Sequence, residues 1–219
     1  MTLGSSFGQT YFISLFSSEV RAELNLSHGV FGLVYSAATL FSSITLIWVG
    51  RRIDEMDLRW FCLFSIGGLA IASIIMAKAH TILVLILAIF ALRLTGQGLM
   101  WHAAATSMAR YFHKNRGFAL SIASAGLPAG EAILPFLTVS LLTIITWREV
   151  WTLIALAVGI LLTLIVQIFL LGHKKRHEKF INKLNQLSLN DTTNNQWSHS
   201  EVIRDRRFYQ ICLVTLAPA

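Results

Sequence analysis

The sequence predicts an all-α membrane fold, a six-transmembrane-helix bundle, and three observations predict it. Of 219 residues, 55% are hydrophobic and only 13% are charged, where a soluble globular chain carries roughly a quarter charged. Mean hydropathy is +0.63. Apolar runs of crossing length recur along the chain, and every Lys and Arg except Arg93 falls at or beyond their ends. A helix rising 1.5 Å per residue needs about 20 residues to cross about 30 Å of hydrocarbon, and that length is the criterion for each span.

Residues 2–18 are free of charge, but Gly4, Ser5, Ser6, Gly8, Gln9 and Thr10 leave only Tyr11 to Phe16 as an apolar block, so this stretch reads as part of a span. Residues 24–50, 60–77 and 150–173 contain no Asp, Glu, Lys or Arg and predict spans over 29–50, 60–77 and 151–171. Runs 79–109 and 117–147 each hold a single charge, Arg93 and Glu131, and predict spans over 81–109 and 117–141. Together these make a transmembrane bundle over residues 1–171. Residues 172–207 are polar, basic and Asn-rich and read as a linker. The stretch FYQICLVTLAPA, 208–219, reads as the start of a seventh transmembrane helix. It is about half the length a crossing requires, so the chain is expected to be cut at both ends.

Loop charge orients the bundle. Lys and Arg number three between the second and third spans, three between the fourth and fifth, and eight in 172–207, which is 14 on one side. Arg21, Lys78 and Arg148 stand on the other side. The positive-inside rule makes the richer side cytoplasmic, so the amino terminus and the 172–207 loop are expected in the cytoplasm of a multi-pass protein of the plasma (cell inner) membrane. The net charge of +7 is thereby explained by orientation, and no nucleic-acid partner is expected.

Other chemistries lack residues. Cys62 and Cys212 sit in apolar segments without metal-ligand spacing. His173 and His177 have the four-residue spacing of a helical metal pair, but Lys174, Lys175 and Arg176 lie between them and no carboxylate accompanies them. No GxSxG, Walker loop or HExxH occurs. No cofactor, metal or enzymatic activity is expected.

The two intramembrane charges are the leading functional candidates. A guanidinium in hydrocarbon costs at least about 2.5 kcal/mol on insertion scales, so Arg93 is expected to face water or a partner. By rise from Thr81 it lies about 18 Å in, near the midplane, where its planar fork of donors suits an anionic substrate. Helical spacing places Gln97 and Met100 on the Arg93 face and His102 about 180° away, as an interfacial residue. Gln9 and Tyr11 are candidates to line the same cavity. Glu131 is either a proton-coupling carboxyl or a partner of Arg93, although the two depths differ by about 9 Å before tilt. It follows Gly126 and Gly130, a small-residue pair that lets helices pack closely. Pro128 and Pro135 are expected to bend the fifth span.

Further motifs carry a resemblance. GRRIDEMDLR from Gly50 is similar to the loop signature of the major facilitator superfamily at Gly50, Asp54 and Arg59, and departs from it at Glu55 and Asp57. RLTGQG from Arg93 resembles the superfamily's intramembrane Arg followed by glycines, and AGLPAGEAILP from Ala125 its Gly/Pro-rich fifth helix. ARYFHKNRG, 109–117, and FGQTYFISLF resemble its four-to-five connection and the end of its first helix. The resemblance implies the amino-terminal half of a 12-helix fold, with a C-terminal six-helix half as partner. It implies a secondary transporter of a small solute, an organic anion with protons being the leading case, working by alternating access within the lipid bilayer. Gly50, Asp54 and Arg59 would then gate. The alternatives are a non-transporting membrane sensor or assembly protein, or an inactive transporter remnant.

Overall fold

The computed structural model describes residues 1–50, 56–111, 115–169 and 204–210. They are helical, with no strand among the described residues. The chain divides into two units, Met1–His173 and Lys174–Ala219.

Among its described residues the first unit contains five helices long and apolar enough to cross a membrane: His28–Gly50, Leu58–Ala77, Ile82–Met108, Arg116–Leu142 and Trp147–Ile168. Four of the five starts are capped by a side chain. Ser27 and Thr81 accept from the backbone N–H three residues on, and Asp57 accepts from Arg59 N at 2.8 Å. Asp57, one of the departures from the loop signature, is thus a helix cap. The last helix begins at Trp147, ahead of the expected 151, because Thr146 and Glu149 form a reciprocal capping box. A search for charge-free runs misses that start, since Arg148 and Glu149 lie in the first turn.

The amino-terminal segment is broken where the sequence thins in apolar residues. Helix Thr2–Ser5 passes into a 3-10 turn, Ser6–Gly8, then Gln9 is extended and helices Thr10–Ser14 and Ser17–Leu24 follow. Asn25 closes the last of these with φ 51°, a left-handed cap that Asn tolerates. Helix Arg116–Leu142 is interrupted at Ala125, between Arg116–Ser124 and Gly126–Leu142. Pro128 explains the break, because its ring has no N–H for the Ser124 carbonyl four residues back and crowds it. Pro135 remains inside the second piece.

Helix 58–77 is the innermost, with half of its most apolar window buried, against 17% for helix 28–50 and 11% for helix 116–142. It packs on helices 82–108 and 147–168. Phe12, Phe16 and Trp151 are fully buried and stack at ring distances of 5.0–5.8 Å, joining the amino-terminal segment to the last helix. The outer faces present large apolar side chains such as Leu33, Leu83, Phe118 and Phe136, each more than 70% exposed. Hydrocarbon, not water, is the solvent such a surface matches.

In the second unit, residues 206–210 are helical, and the Phe208 and Tyr209 rings meet edge-on at 5.4 Å. The expected linker falls outside the described residues except 204–207, and the expected seventh helix except 208–210.

Candidate functional site

The centre of the molecule is set by an irregularity in helix 82–108. From Arg93 to Met100 it is a π-helix, closing turns on i+5 in place of i+4. Such stretches concentrate at functional sites because they re-aim side chains without ending the helix. A backbone crossing lies beside it. A Cβ on Gly8 would meet the Leu92 carbonyl and stand 2.6 Å from Gln97 N and 2.8 Å from Gly96 Cα, and a Cβ on Gly96 would stand 2.8 Å from Gly8 Cα. Only glycine at both positions permits that contact.

The crossing delivers the start of helix Thr10–Ser14 to Arg93. Arg93 Nη1 donates to Thr10 Oγ1 at 3.0 Å and, at a long 3.4 Å, to Gly8 O. Tyr35 Oη donates to the same Thr10 Oγ1 at 2.9 Å, and the guanidinium carbon lies 5.7 Å from the Tyr35 ring centroid. Thr10 therefore accepts twice and holds guanidinium and phenol together. A guanidinium has five N–H donors. Those on Nε and Nη2 have no hydrogen-bond partner among the described residues.

Beside Arg93 is a cavity of about 470 Å³, lined by Gln9, Thr39, Ser42, Ser43, Leu46, Arg93, Gln97, Gly98, Trp101, His102 and Leu127. Its size falls in the range of small-molecule sites. One fixed cation, two amides, three hydroxyls, an indole and an imidazole face it, and no carboxylate does so among the described residues. Thr39 Oγ1 is buried without a hydrogen-bond partner among the described residues. The charge balance favours an anion and the hydroxyls and amides favour polar substituents on it.

Arg93, Gln97 and Gln9 are brought together. Helical spacing misplaced two of their neighbours. Met100, expected on the Arg93 face, is fully buried, and a Cβ on Gly4 would stand 2.9 Å from its Cε. His102, expected on the opposite face, lines the cavity. A turn that closes on i+5 holds more than four residues, so nine residues make about two turns where an α-helix makes about two and a half. The sequence reading also missed Thr39, Ser42 and Ser43. Their signal was present, since positions i, i+3 and i+4 form one polar face on an otherwise apolar helix.

The remaining candidates lie elsewhere. Tyr11 is half-buried and does not line the cavity. Glu131 is exposed, does not line the cavity, and makes no ion pair with Arg93 among the described residues. A Cβ on Gly126 would meet Thr2 Oγ1 and one on Gly130 would meet Ser6 Oγ, so the pair seats helix 116–142 against the amino-terminal segment. A Cβ on Gly50 would stand 3.1 Å from His102 Cδ2. Arg59 Nε donates to Gln167 Oε1 at 2.6 Å. Asp54 lies outside the described residues. Among the described residues no cluster of metal-ligating side chains occurs.

A family comparison decides what a polar, cation-bearing cavity among such helices belongs to. The Major Facilitator Superfamily model matches residues 1–218. The chain belongs to the major facilitator superfamily. Members of this superfamily are membrane transporters, and the five apolar helices accord with a multi-pass membrane protein of that type. No curated protein and no solved structure gives a significant match.

Proposed function

We propose that this major facilitator protein carries a small organic anion by alternating access, with Arg93 as the residue that holds its charge. The observation that carries the proposal is the half-used guanidinium. Arg93 is held from one side by Thr10 and Gly8 while its other donors find no partner among the described residues, and it lines a cavity whose remaining polar groups are neutral amides, hydroxyls and an imidazole. Gln9 and Gln97 would hydrogen-bond the same solute. Alternating access requires a second bundle to rock against this one, with Gly50, Asp54 and Arg59 as gating elements. Glu131, within helix 116–142, is the candidate for proton coupling, and Gly126 and Gly130 hold its helix in place. The charge asymmetry of the loops supports a plasma (inner) membrane protein with the amino terminus and the 172–207 loop in the cytoplasm.

The test is binding of radiolabelled short-chain organic acids to the purified protein, followed by uptake in vesicles of the transport-competent protein. Arg93→Ala is expected to lower affinity at least about a hundredfold while the variant inserts normally, since a charge-assisted bidentate contact contributes about 2–3 kcal/mol and a buried alternative is absent. Arg93→Lys should recover only part of it, because an ammonium lacks the planar fork. Unchanged anion binding by Arg93→Ala would sink the assignment.

A further inference from the structure

Among the described residues that line the cavity and that the proposed function leaves without a task, His102 is the polar side chain best able to donate to a ligand. It is exposed within a cavity that also contains Arg93, and the π-helical stretch is what turns it there. The ring lies against the end of helix 28–50: a Cβ at Gly50 would stand 2.7 Å from Leu46 O, 3.1 Å from the ring's Cδ2 and 3.3 Å from its Nε2. Nine residues of helix separate the two groups, at most about 13 Å of rise and less through the wider π turns. The same cavity wall carries the hydroxyl of Ser42 and the amide of Gln97, while the Ser43 hydroxyl donates to Thr39 O at 3.0 Å.

We propose that His102 is a second pole of this cavity, and that the ligand it selects is an elongated dianion of the dicarboxylate class, one carboxylate on Arg93 and the other on the imidazole. The inference rests on the reading of the cavity as an anion site. A ligand with one anionic end uses Arg93 alone, whereas a ligand with two anionic ends uses both donors, the guanidinium and the imidazole N–H. Among the described cavity residues, Arg93 is the fixed charge facing this space. Helix 28–50 presents Thr39, Ser42, Ser43 and Leu46, the amino-terminal segment Gln9, and helix 116–142 Leu127. Arg51, Arg52, Asp54 and Glu55 follow Gly50 in the sequence and lie outside the described residues.

Radiolabelled succinate and butyrate, which share a four-carbon chain and differ by one carboxylate, provide the test on the full chain in lipid nanodiscs. Succinate is expected to bind at least about tenfold more tightly than butyrate, one charge-assisted hydrogen bond's worth. His102→Ala should reduce that preference about tenfold. His102→Phe, which keeps a planar ring without an N–H, should reduce the preference in the same direction and retains the test where His102→Ala folds poorly. Arg93-dependent binding of both acids with no preference, or a preference unmoved by either variant, overturns the dianion assignment and leaves the anion site standing. Binding of neither acid, or binding indifferent to Arg93→Ala, overturns the anion reading and this inference with it.

Discussion

Two arginines in this protein occupy opposite situations. Arg148, at the start of the last helix, is spent on the protein. Its Nη2 and Nε donate to Glu23 Oε1 at 2.6 and 3.1 Å, Nη1 to Ala77 O at 2.6 Å and Nη2 also to Ala79 O at 2.8 Å. Its guanidinium carbon lies 4.3 Å from the Trp147 ring centroid, and Trp147 Nε1 donates to Glu23 Oε2 at 2.9 Å. The cluster ties helix 17–24, the connection after helix 58–77 and the start of helix 147–168 at one end of the bundle. Arg93 lies within a span, touches Thr10 and Gly8 through one nitrogen, and lines open space. The lesson is that an arginine near a membrane is assigned by how its donors are used. A saturated guanidinium locks helix ends, and a partly used one is available to a solute.

The most direct way to break this contrast is to remove Arg148. Arg148→Ala strips partners from Glu23 and two carbonyls and is expected to cost about 2 kcal/mol of stability, short of the cost of a fully buried pair because the Glu23 side chain is 42% exposed. Thermal unfolding in detergent should show it, with anion affinity per folded molecule preserved. A variant as stable as the parent would erase the distinction between the two arginines.

A smaller effect sharpens the Arg93 side. Thr10→Val removes the oxygen that accepts from both Arg93 and Tyr35, so the guanidinium loses its aim but keeps its charge. Anion affinity is expected to fall about tenfold, one hydrogen bond's worth of about 1.4 kcal/mol, measured by the same binding assay. Affinity equal to the parent's would mean that Thr10 does not position Arg93.

The least of the three is acidic. Hydrogen bonds from Arg148 and Trp147 hold the Glu23 carboxyl below its usual range. A folded pKa lowered in this way contributes stability that is present above the unfolded pKa and is lost as pH falls through the folded one. Stability should therefore decline on acidification below the ordinary carboxylate range, and Glu23→Gln should flatten the decline by an amount small enough to need paired unfolding curves. An unchanged slope in Glu23→Gln would assign the acid sensitivity to another group.

How much of this was legible depends on what kind of information each feature needs. The apolar helices were legible because transfer into hydrocarbon adds residue by residue along the chain. Helix starts were less so: the Thr146–Glu149 box moved the last helix ahead of its charge-free run. The Arg148 cluster was invisible, because it joins residues 23, 77, 79 and 148 through contacts no local pattern encodes.

The sequence by itself determined that this is an α-helical membrane protein, where its apolar helices lie, and that Arg93 is a charge needing an explanation. The tertiary structure alone decided which side chains share a cavity with it. Facing depends on helical phase, and a π-helical stretch from Arg93 to Met100 shifts that phase by a fraction of a turn, burying Met100 and bringing His102 round. It depends also on the Gly8–Gly96 crossing, where two backbones meet only because neither residue carries a Cβ. Hydropathy is a sum over one chain, whereas a site is a coincidence of several, and only the packed helices specify it.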